Sequence, residues 1–273
     1  IIKEGIDEQG RGLAVRERAW YQRIKEQNFT NVPIIYETEP LIMEKIDGRN
    51  IYEYELSFDE KKHVLKQLID CITDIHNLEG CETDVNSYSE AYIGKTFERL
   101  KKVKELVPFA KDEYVTINGK KCRNVFFCKD ELDTLVMGYV PKEFRLLHGD
   151  CTFSNMLLKN GTIPMMIDPR GYFGFTELYG DPAYDWVKLY YSVVGNYDQF
   201  NLKRFTLKIE ENEVLLDIVS NHWEDMEDTF FEFLGSQVTR KQMKLLHAIT
   251  WLSLTTYAWE DYDSICGAFY HGL

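Results

Sequence analysis

Three side chains with carboxylate or amide oxygens lie within a short stretch just past the middle of the chain. The segment HGDCTFSN, residues 148–155, holds Asp150 and Asn155 five residues apart, and MIDPRGYFG, residues 166–174, places Asp168 after an apolar run. Phosphoryl transfer from ATP needs a carboxylate to orient the attacking hydroxyl and oxygen ligands for Mg²⁺. The D-x-x-x-x-N spacing lets one loop aim Asp150 at an acceptor and Asn155 at a metal, whose shell Asp168 can complete. The alternative is that Gly-Asp is ordinary turn chemistry.

Three motifs follow one another in order, at residues 148–155, 167–171 and 180–185. They read HGDCTFSN, IDPRG and GDPAYD, and they resemble the HGD-x-x-x-x-N, ID-P-x-x-G and GDPxxD segments of the aminoglycoside phosphotransferase and choline kinase superfamily. That superfamily has a fold similar to protein kinases. The resemblance implies an α+β, two-lobed fold, with a small partial N-terminal lobe and hinge over residues 1–48 and a larger, mostly helical lobe over residues 49–273. It also implies ATP and Mg²⁺ as cofactors, Asp150 as the catalytic carboxylate, and Asn155 and Asp168 as metal ligands.

The start of the chain resembles the nucleotide-binding part of that family. Lys3 in IIKEG takes the place of the strand lysine that contacts the α- and β-phosphates, and Glu17 that of its helix partner. The segment PLIMEKIDG resembles the hinge, where the backbone of Glu44 and Ile46 would bind adenine and Met43 would border it. The family's phosphate-covering loop, which precedes the lysine, is not in this sequence. Either the given sequence starts within the domain or the protein lacks this loop. We expect the former, so that the domain begins upstream of the given first residue, where further domains could also lie.

Five more residues are candidates for supporting the site or binding the acceptor. His148 resembles a residue that braces the loop through the backbone, and Asp185 is expected to anchor that loop from the start of a helix. Arg170 either steadies a phosphate or a carboxylate-bearing acceptor, or pairs with a nearby acid. Trp251 and Trp259 lie among acidic residues, and such a set could cage a quaternary ammonium or an amino sugar. The alternative for both tryptophans is core packing.

Apolar periodicity predicts the elements that carry these residues. It predicts helices over residues 10–28, from the capping box at Ser57 to His76, over 91–107, over 130–140, and from Pro182 to the end. The basic segment TFERLKKVK is interpreted as the exposed face of one of these helices. Short strands are predicted in PIIYE, PLIMEKI, FRLLHGD and NMLLKNGTIPMMID, with a tight hairpin at Asn118-Gly119.

Composition excludes several classes of partner. A formal net charge of -13 and a pI near 5.0 argue against a nucleic-acid groove or an anionic membrane surface. The six cysteines form no CxxC pair, which argues against a zinc site or disulfide framework and favours a cytoplasmic protein. No apolar stretch approaches the roughly 20 residues of a membrane helix.

The sequence therefore predicts an ATP- and Mg²⁺-dependent phosphotransferase whose partner is a small-molecule hydroxyl acceptor, such as a sugar or small alcohol. MIDPRGYFG and LYGDPAYDWVKLYYS most resemble bacterial members found among capsule and surface-polysaccharide functions. One alternative is a choline or ethanolamine kinase, although IDPRG replaces the IDxE common there. Another is a non-catalytic nucleotide-binding module of a larger protein. Such modules usually lose a metal ligand, whereas Asp150, Asn155 and Asp168 are all present.

Overall fold

The structure, a computed structural model, describes residues 1–256 and 261–273. The helices are α1 (Glu8–Glu26), α2 (Phe58–Leu78), α3 (Val85–Ser89), α4 (Lys95–Val103), α5 (Lys129–Met137), α6 (Pro182–Val193), α7 (Tyr197–Asn201), α8 (Glu227–Leu234), α9 (Arg240–Leu254) and α10 (Tyr262–Gly272). The strands are β1 (Ile2–Lys3), β2 (Ile35–Thr38), β3 (Leu41–Met43), β4 (Gly48–Asn50), β5 (Gly80–Glu82), β6 (Tyr114–Ile117), β7 (Lys120–Arg123), β8 (Glu143–Leu146), β9 (Met156–Lys159), β10 (Ile163–Met166), β11 (Tyr172–Phe173), β12 (Thr176–Glu177), β13 (Tyr179–Gly180), β14 (Phe205–Ile209) and β15 (Val214–Ile218).

The N-terminal part combines α1 with a small antiparallel sheet of order β1-β3-β2. Asp7 caps α1 by accepting a hydrogen bond from the backbone N–H of Gly10 at 2.6 Å. Trp20 on α1 is fully buried, and its Nε1 donates to the carbonyl of Leu147 at 2.6 Å. Helix α1 is therefore fixed directly to the segment that precedes HGDCTFSN.

Two three-stranded sheets set the ends of the loops that carry the motifs. The first has the order β13-β8-β5, and the second has the order β10-β9-β4. HGDCTFSN leaves β8 and enters β9, while MIDPRGYFG leaves β10 and enters β11. Asn50 at the end of β4 donates from Nδ2 to the carbonyl of Ser154 at 2.5 Å. Both loops are thus held at each end by strand pairing.

Helix α2 begins with the predicted capping box. The Ser57 hydroxyl accepts from the backbone N–H of Glu60, and the Glu60 carboxylate accepts from the backbone N–H of Ser57 at 2.8 Å. The predicted apolar stripe of this helix is buried in the main core, and it ends at the buried His76. Burial of that stripe brings the imidazole of His76 beneath the loop that carries Asp150.

Two predicted elements are wrong in part. The helix expected over residues 91–107 is preceded by α3 and interrupted by a π-helical turn over Glu90–Gly94, so its regular part is α4. The chain after Pro182 is not helical throughout, because β14 and β15 form an antiparallel hairpin that joins the predicted β6–β7 hairpin in one sheet. Alternating apolar residues in β14 and β15 fit the period of strands rather than helices.

Among the described helices, none combines the length and the apolar character that crossing a membrane requires.

Candidate functional site

A cavity of about 470 Å³ lies between the N-terminal part and the helices that follow the motifs. Five of the residues predicted from the sequence line it: Lys3, Glu17, Asp150, Asp168 and Arg170. The first two come from β1 and α1, and the others come from the loops after β8 and β10. The fold therefore gathers residues that are up to 167 positions apart around one space. We call Glu17, Asp150 and Asp168 the carboxylate wall.

Asp150 is held by two neighbours, one on each carboxylate oxygen. Lys188 Nζ lies 3.0 Å from Oδ1, and Asn155 Nδ2 donates to Oδ2 at 2.8 Å and to the Asp150 carbonyl at 3.0 Å. Burial by itself raises the pKa of Asp150, but the positive charges of Lys188 and Arg170 lower it, so that the net pKa lies below the ordinary value. The carboxylate is therefore ionised at neutral pH, and its remaining lone pairs can accept a hydrogen bond from a hydroxyl.

Two buried side chains brace the loop that carries Asp150. Asp185 accepts from the backbone N–H of Gly149 at 2.7 Å and of His148 at 3.0 Å, and it lies 3.0 Å from His76 Nε2. Burial raises the pKa of Asp185, but the hydrogen bonds and the charge of His76 outweigh burial and lower it. His148 lies with Nε2 3.0 Å from the carbonyl of Ile167, and burial lowers its pKa. It is therefore neutral and links the two loops.

Asp168 meets the N-terminal part of the chain through Lys3. Lys3 Nζ donates to Glu17 at 2.8 Å and to Asp168 Oδ1 at 2.5 Å. Burial by itself lowers the pKa of Lys3, but the two carboxylates outweigh it and raise the pKa. Burial raises the pKa of Glu17, while Lys3 opposes that rise. One cation thus joins two carboxylates from distant parts of the sequence.

The two loops approach each other too closely for a side chain at Gly149. This residue has φ +82°, and a Cβ built on it would lie 2.8 Å from the Cβ of Arg170. The backbone N–H of Arg170 donates to the carbonyl of His148 at 2.8 Å, which locks the contact. Glycine is required here because it alone fits both the left-handed φ and the space. The side chain of Arg170 continues into the cavity, where Nη1 donates to Tyr184 at 2.9 Å and Nη2 to Tyr172 at 2.8 Å.

The predicted hinge residues are near the site but outside the cavity. Met43 and Ile46 are buried, and Glu44 forms an ion pair with Lys159 at 2.8 Å. The backbone N–H of Glu44 already donates to the carbonyl of Ile34 at 2.8 Å. The structure brings together the predicted phosphate and metal residues, whereas none of the three hinge residues is among those that line the cavity.

Trp251 does not form a ligand cage in this structure. It is fully buried, its Nε1 donates to His247 at 3.0 Å, and its ring packs against Tyr191 and Phe200 with centroids 4.6 and 5.0 Å away. The alternative of core packing is therefore the one that the contacts favour, because an indole without exposed surface cannot contact a ligand. Trp259 lies outside the described residues.

Sequence reasoning identified Arg170 but missed three other basic side chains that line the cavity beside the carboxylate wall. Lys95 and Arg99 on α4, Arg170 on the loop after β10, and Lys188 on α6 all face the space. We call these four residues the cationic wall. Part of TFERLKKVK does lie on an exposed face, as expected, but Arg99 within it points to the cavity and donates to the carbonyl of Ser253 at 2.6 Å. The i, i+4 spacing of Lys95 with Arg99 was the available sign of a shared face.

Asn155 and Asp168 are the residues that fit a hard metal ion. Because Asn155 donates through Nδ2 to Asp150, its amide oxygen is turned away from that carboxylate. Lys3 contacts one of the two Asp168 oxygens. Among the described residues, no cluster of three His, Cys, Asp or Glu side chains is arranged to hold a metal. Mg²⁺ is often held in proteins by one or two protein oxygens together with phosphate and water.

Comparison with known proteins identifies the class of this chain. The phosphotransferase enzyme family, APH, matches residues 9–206, so the chain belongs to that family. A search of curated protein sequences finds no significant match.

Solved structures with a similar fold are distant in sequence. The gentamicin complex of APH(2")-IIa is 17% identical, with a TM-score of 0.52 over 97% of this chain and 82% of that one. A glucosamine kinase is 12% identical, with a TM-score of 0.59 over 93% of this chain and 67% of that one. The aminoglycoside phosphotransferase APH(3'')-Id from Streptomyces rimosus ATCC10970, in complex with ADP and streptomycin, is 14% identical, with a TM-score of 0.52 over 91% and 85%. The predicted kinase-like α+β fold is therefore confirmed.

Proposed function

We propose that the protein is an ATP- and Mg²⁺-dependent phosphotransferase that acts on a hydroxyl group of a small molecule. One observation carries the proposal: Lys3 joins Glu17 to Asp168 at the edge of the cavity that Asp150 also lines. Phosphoryl transfer requires a cation for the phosphates, metal ligands and a carboxylate for the acceptor within one site. Membership of the phosphotransferase family and the ADP in a structural neighbour support the nucleotide assignment.

Each residue then has a chemical task. Lys3 would contact the phosphates, and Asn155 and Asp168 would hold Mg²⁺, which would neutralise charge on the transferred phosphoryl group. Asp150 would accept a hydrogen bond from the acceptor hydroxyl and aim its oxygen at the terminal phosphorus of ATP. As the new O–P bond forms, the bond from that phosphorus to the bridging oxygen breaks and ADP leaves. The hydroxyl proton passes to the Asp150 carboxylate and then to solvent.

His148 and Asp185 would act on this chemistry only indirectly. Their hydrogen bonds join the backbone of residues 148, 149, 150 and 167 and the side chain of His76, and neither residue is among those that line the cavity. They would fix the orientation of Asp150 before the acceptor arrives, which lowers the entropic cost of reaching the reactive geometry. Glu17 would hold Lys3, the backbone of Glu44 and Ile46 would bind adenine, and Met43 would border it.

The proposal extends to the organisation and setting of the protein. We assign residues 1–48 to a partial N-terminal lobe with its hinge, and residues 49–273 to the larger lobe. Pairing of β4, which begins at Gly48, with β9 supports a boundary there, because β4 belongs to the sheet that holds the catalytic loop. A sugar or small alcohol used in surface-polysaccharide synthesis would be a suitable acceptor for a cytoplasmic enzyme, and a neighbour described as a glucosamine kinase supports a sugar.

Turnover by an Asp150→Asn variant tests the proposal. A panel of sugars, amino alcohols, aminoglycosides and nucleosides is incubated with ATP and Mg²⁺, and phosphorylated product is detected directly. With the acceptor so found, loss of the carboxylate should reduce turnover by about 10²- to 10⁴-fold, the usual contribution of a general base. Binding of ATP, measured by calorimetry, should persist because Asp150 contacts the acceptor.

Asp217→Asn provides the matched control, since Asp217 is exposed on β15 away from the cavity. Near-normal turnover of Asp150→Asn would contradict the assignment of the base. If no acceptor yields product and ATP does not bind, the alternative of a module without catalysis gains support.

A further inference from the structure

The cationic wall stands out against the charge of the whole chain. The protein has a formal net charge of -13, yet the described residues that line the cavity include more cationic side chains than carboxylates. The four members of the wall come from α4, from the loop after β10 and from α6, and the two on α4 lie more than 70 residues before Arg170 and Lys188. Tertiary structure therefore brings the two residues of α4 to Arg170 and Lys188.

One buried tyrosine organises three of the four cations. Tyr184 is almost fully buried, and Lys95 Nζ and Lys188 Nζ lie 5.6 and 5.9 Å from its ring centroid. Arg170 Nη1 donates to the Tyr184 hydroxyl at 2.9 Å. The electron-rich face of the ring attracts both ammonium groups, and the hydroxyl accepts from the guanidinium. The ring therefore keeps three positive groups at fixed positions around one side of the cavity.

The surroundings of Lys95 disfavour the charged form of its side chain. Burial lowers the pKa of Lys95 well below its ordinary value, and repulsion from Arg170, Arg99 and Lys188 lowers it further. Among the described residues, no carboxylate oxygen lies within ion-pair distance of Lys95 Nζ, although Glu90 acts on it from farther away. Residues that destabilise a fold in this way are common at functional sites, where a ligand compensates for the cost.

The cationic wall also adjoins the proposed catalytic carboxylate. Lys188 Nζ lies 3.0 Å from Asp150 Oδ1, so the wall begins one contact away from the group that would hold the acceptor hydroxyl. A small acceptor that places one hydroxyl on Asp150 must therefore extend toward the wall or away from it. An anionic group on the acceptor would gain charge-assisted hydrogen bonds by extending toward the wall.

We propose that the acceptor of this enzyme is an alcohol that already carries a phosphate or a carboxylate, and that the cationic wall binds this anionic group while Asp150 orients the hydroxyl. The inference rests on the proposed function and names its substrate class. It disfavours cationic acceptors such as amino sugars and choline, because a second positive charge in the cavity would be repelled by the wall.

Binding of matched small molecules tests this inference. The probes are glycerol, its phosphate monoester, glycerate, glucose, its phosphate monoester and glucosamine, each at millimolar concentration with Mg²⁺ and a non-hydrolysable ATP analogue. Ligand-observed NMR measures the affinity of each probe for the unmodified protein and for variants. We expect phosphate esters or glycerate to bind, and the neutral and cationic members to bind at least about tenfold more weakly. Comparison of the phosphate esters with glycerate shows whether the cationic wall binds a phosphate or a carboxylate.

Lys95→Met and Lys102→Met form a matched pair on α4. Lys102 is exposed and absent from the cavity lining, so its substitution should leave affinity unchanged. Lys95→Met should weaken binding of the anionic probe by about tenfold or more, because it removes a hydrogen bond to a charged group. It should also raise the melting temperature, since it relieves repulsion among like charges. If Lys95 had only a structural role, its replacement would not both raise the melting temperature and weaken binding of the anionic probe.

Several outcomes would overturn the inference. They are equal or tighter binding of glycerol or glucosamine, no binding of any anionic probe, or unchanged affinity in Lys95→Met. Failure of the proposed function gives a different result: the ATP analogue does not bind, or no acceptor promotes ADP formation from ATP, whatever the anionic probes do.

Discussion

The two walls of the cavity differ in charge and in how the chain builds them. Two members of the carboxylate wall, Asp150 and Asp168, lie on loops that strand pairing holds at both ends. The cationic wall projects mainly from two helices, and a buried tyrosine rather than a backbone turn holds it together. The contact of Lys188 with Asp150 is where the walls meet. From this comparison we infer that different residues determine catalysis and the choice of acceptor. Substitutions on each wall test this inference.

The largest effect is expected on the carboxylate wall, from Asp168→Asn. Asp168 has φ +55°, a left-handed conformation that asparagine also tolerates, so the backbone should not change. Loss of the charge that would hold Mg²⁺ should lower turnover by about 10³-fold, equivalent to several kcal/mol of transition-state stabilisation. Steady-state turnover with the acceptor found above measures this effect.

Binding measurements on the same variant test whether the two walls act independently. If they act independently, Asp168→Asn should bind the anionic probe as the unmodified protein does, while Lys95→Met keeps its affinity for the ATP analogue. Loss of both affinities in either variant would mean that the walls form one coupled site. The distinction needs only the two binding measurements, so it does not depend on how fast either variant turns over.

The carboxylate wall could be predicted from the sequence, whereas Arg170 was the one member of the cationic wall that the sequence indicated. Asp150 and Asp168 lie 18 residues apart within motifs, and the antiparallel pair of β9 and β10 connects them. Lys95 and Lys188 are brought together only by helix packing, and isolated lysines on helices usually belong to exposed faces. The π-helical turn before Lys95 adds to the difficulty, because it shifts the helical phase of the residues after it.

The fold shows the same division between local and distant information. The capping box at Ser57 and the hairpin at Asn118-Gly119 were predicted correctly, since each depends on a few adjacent residues. The β14–β15 hairpin was missed although its alternation was present, because the segment lies between helical stretches and favoured a helical interpretation. Its position in the sheet depends on the pairing of Val214 with Ile117, which no local pattern indicates.

An intermediate effect is expected where the walls meet, from Lys188→Met. Lys188 would be a positioning residue, because it holds Asp150 Oδ1 and would not itself contact the phosphoryl group. Removal of a buried cation from its carboxylate partner should lower kcat by about 10²-fold, since misorientation of a catalytic group by about 1 Å has that order of effect. It should also raise KM for an anionic acceptor. Steady-state kinetics give both values.

Lys188→Arg sharpens this test. Arginine keeps the positive charge and can reach the same carboxylate oxygen, so it should restore most of kcat. A purely structural role of Lys188 would instead lower stability and leave the ratio of kcat to KM for charged and neutral acceptors unchanged. If the methionine variant and the unmodified protein had equal kcat, Lys188 would not position Asp150, and the proposed coupling of the two walls through this contact would be wrong.

The smallest effect on turnover is expected from Asp198→Asn, which alters how the catalytic loop is supported. Asp198 on α7 is buried, and its Oδ1 accepts from the backbone N–H of Ser154 at 3.0 Å. Burial raises the pKa of Asp198 from 3.8 to about 6, whereas the equally buried Asp185 has a lowered pKa because His76 and two backbone amides favour its charge. Asparagine keeps an oxygen for Ser154 and removes the charge.

The direction of the pH dependence follows from the raised pKa. The protonated form of Asp198 is favoured in the folded state, so its contribution to stability is full below pH 3.8 and is lost as the pH rises through about 6. The side chain of Asp198→Asn does not ionise, so the variant does not lose this stability as the pH rises. The free energy of unfolding of the variant minus that of the unmodified protein should therefore rise by about 2 kcal/mol between pH 4 and pH 7. Urea unfolding at several pH values measures this change, with Asp217→Asn as the exposed control. If this difference in free energy of unfolding stays constant between pH 4 and pH 7, the folded protein stabilises the charged form of Asp198 as it does that of Asp185. The proposed difference between these two aspartates would then be wrong.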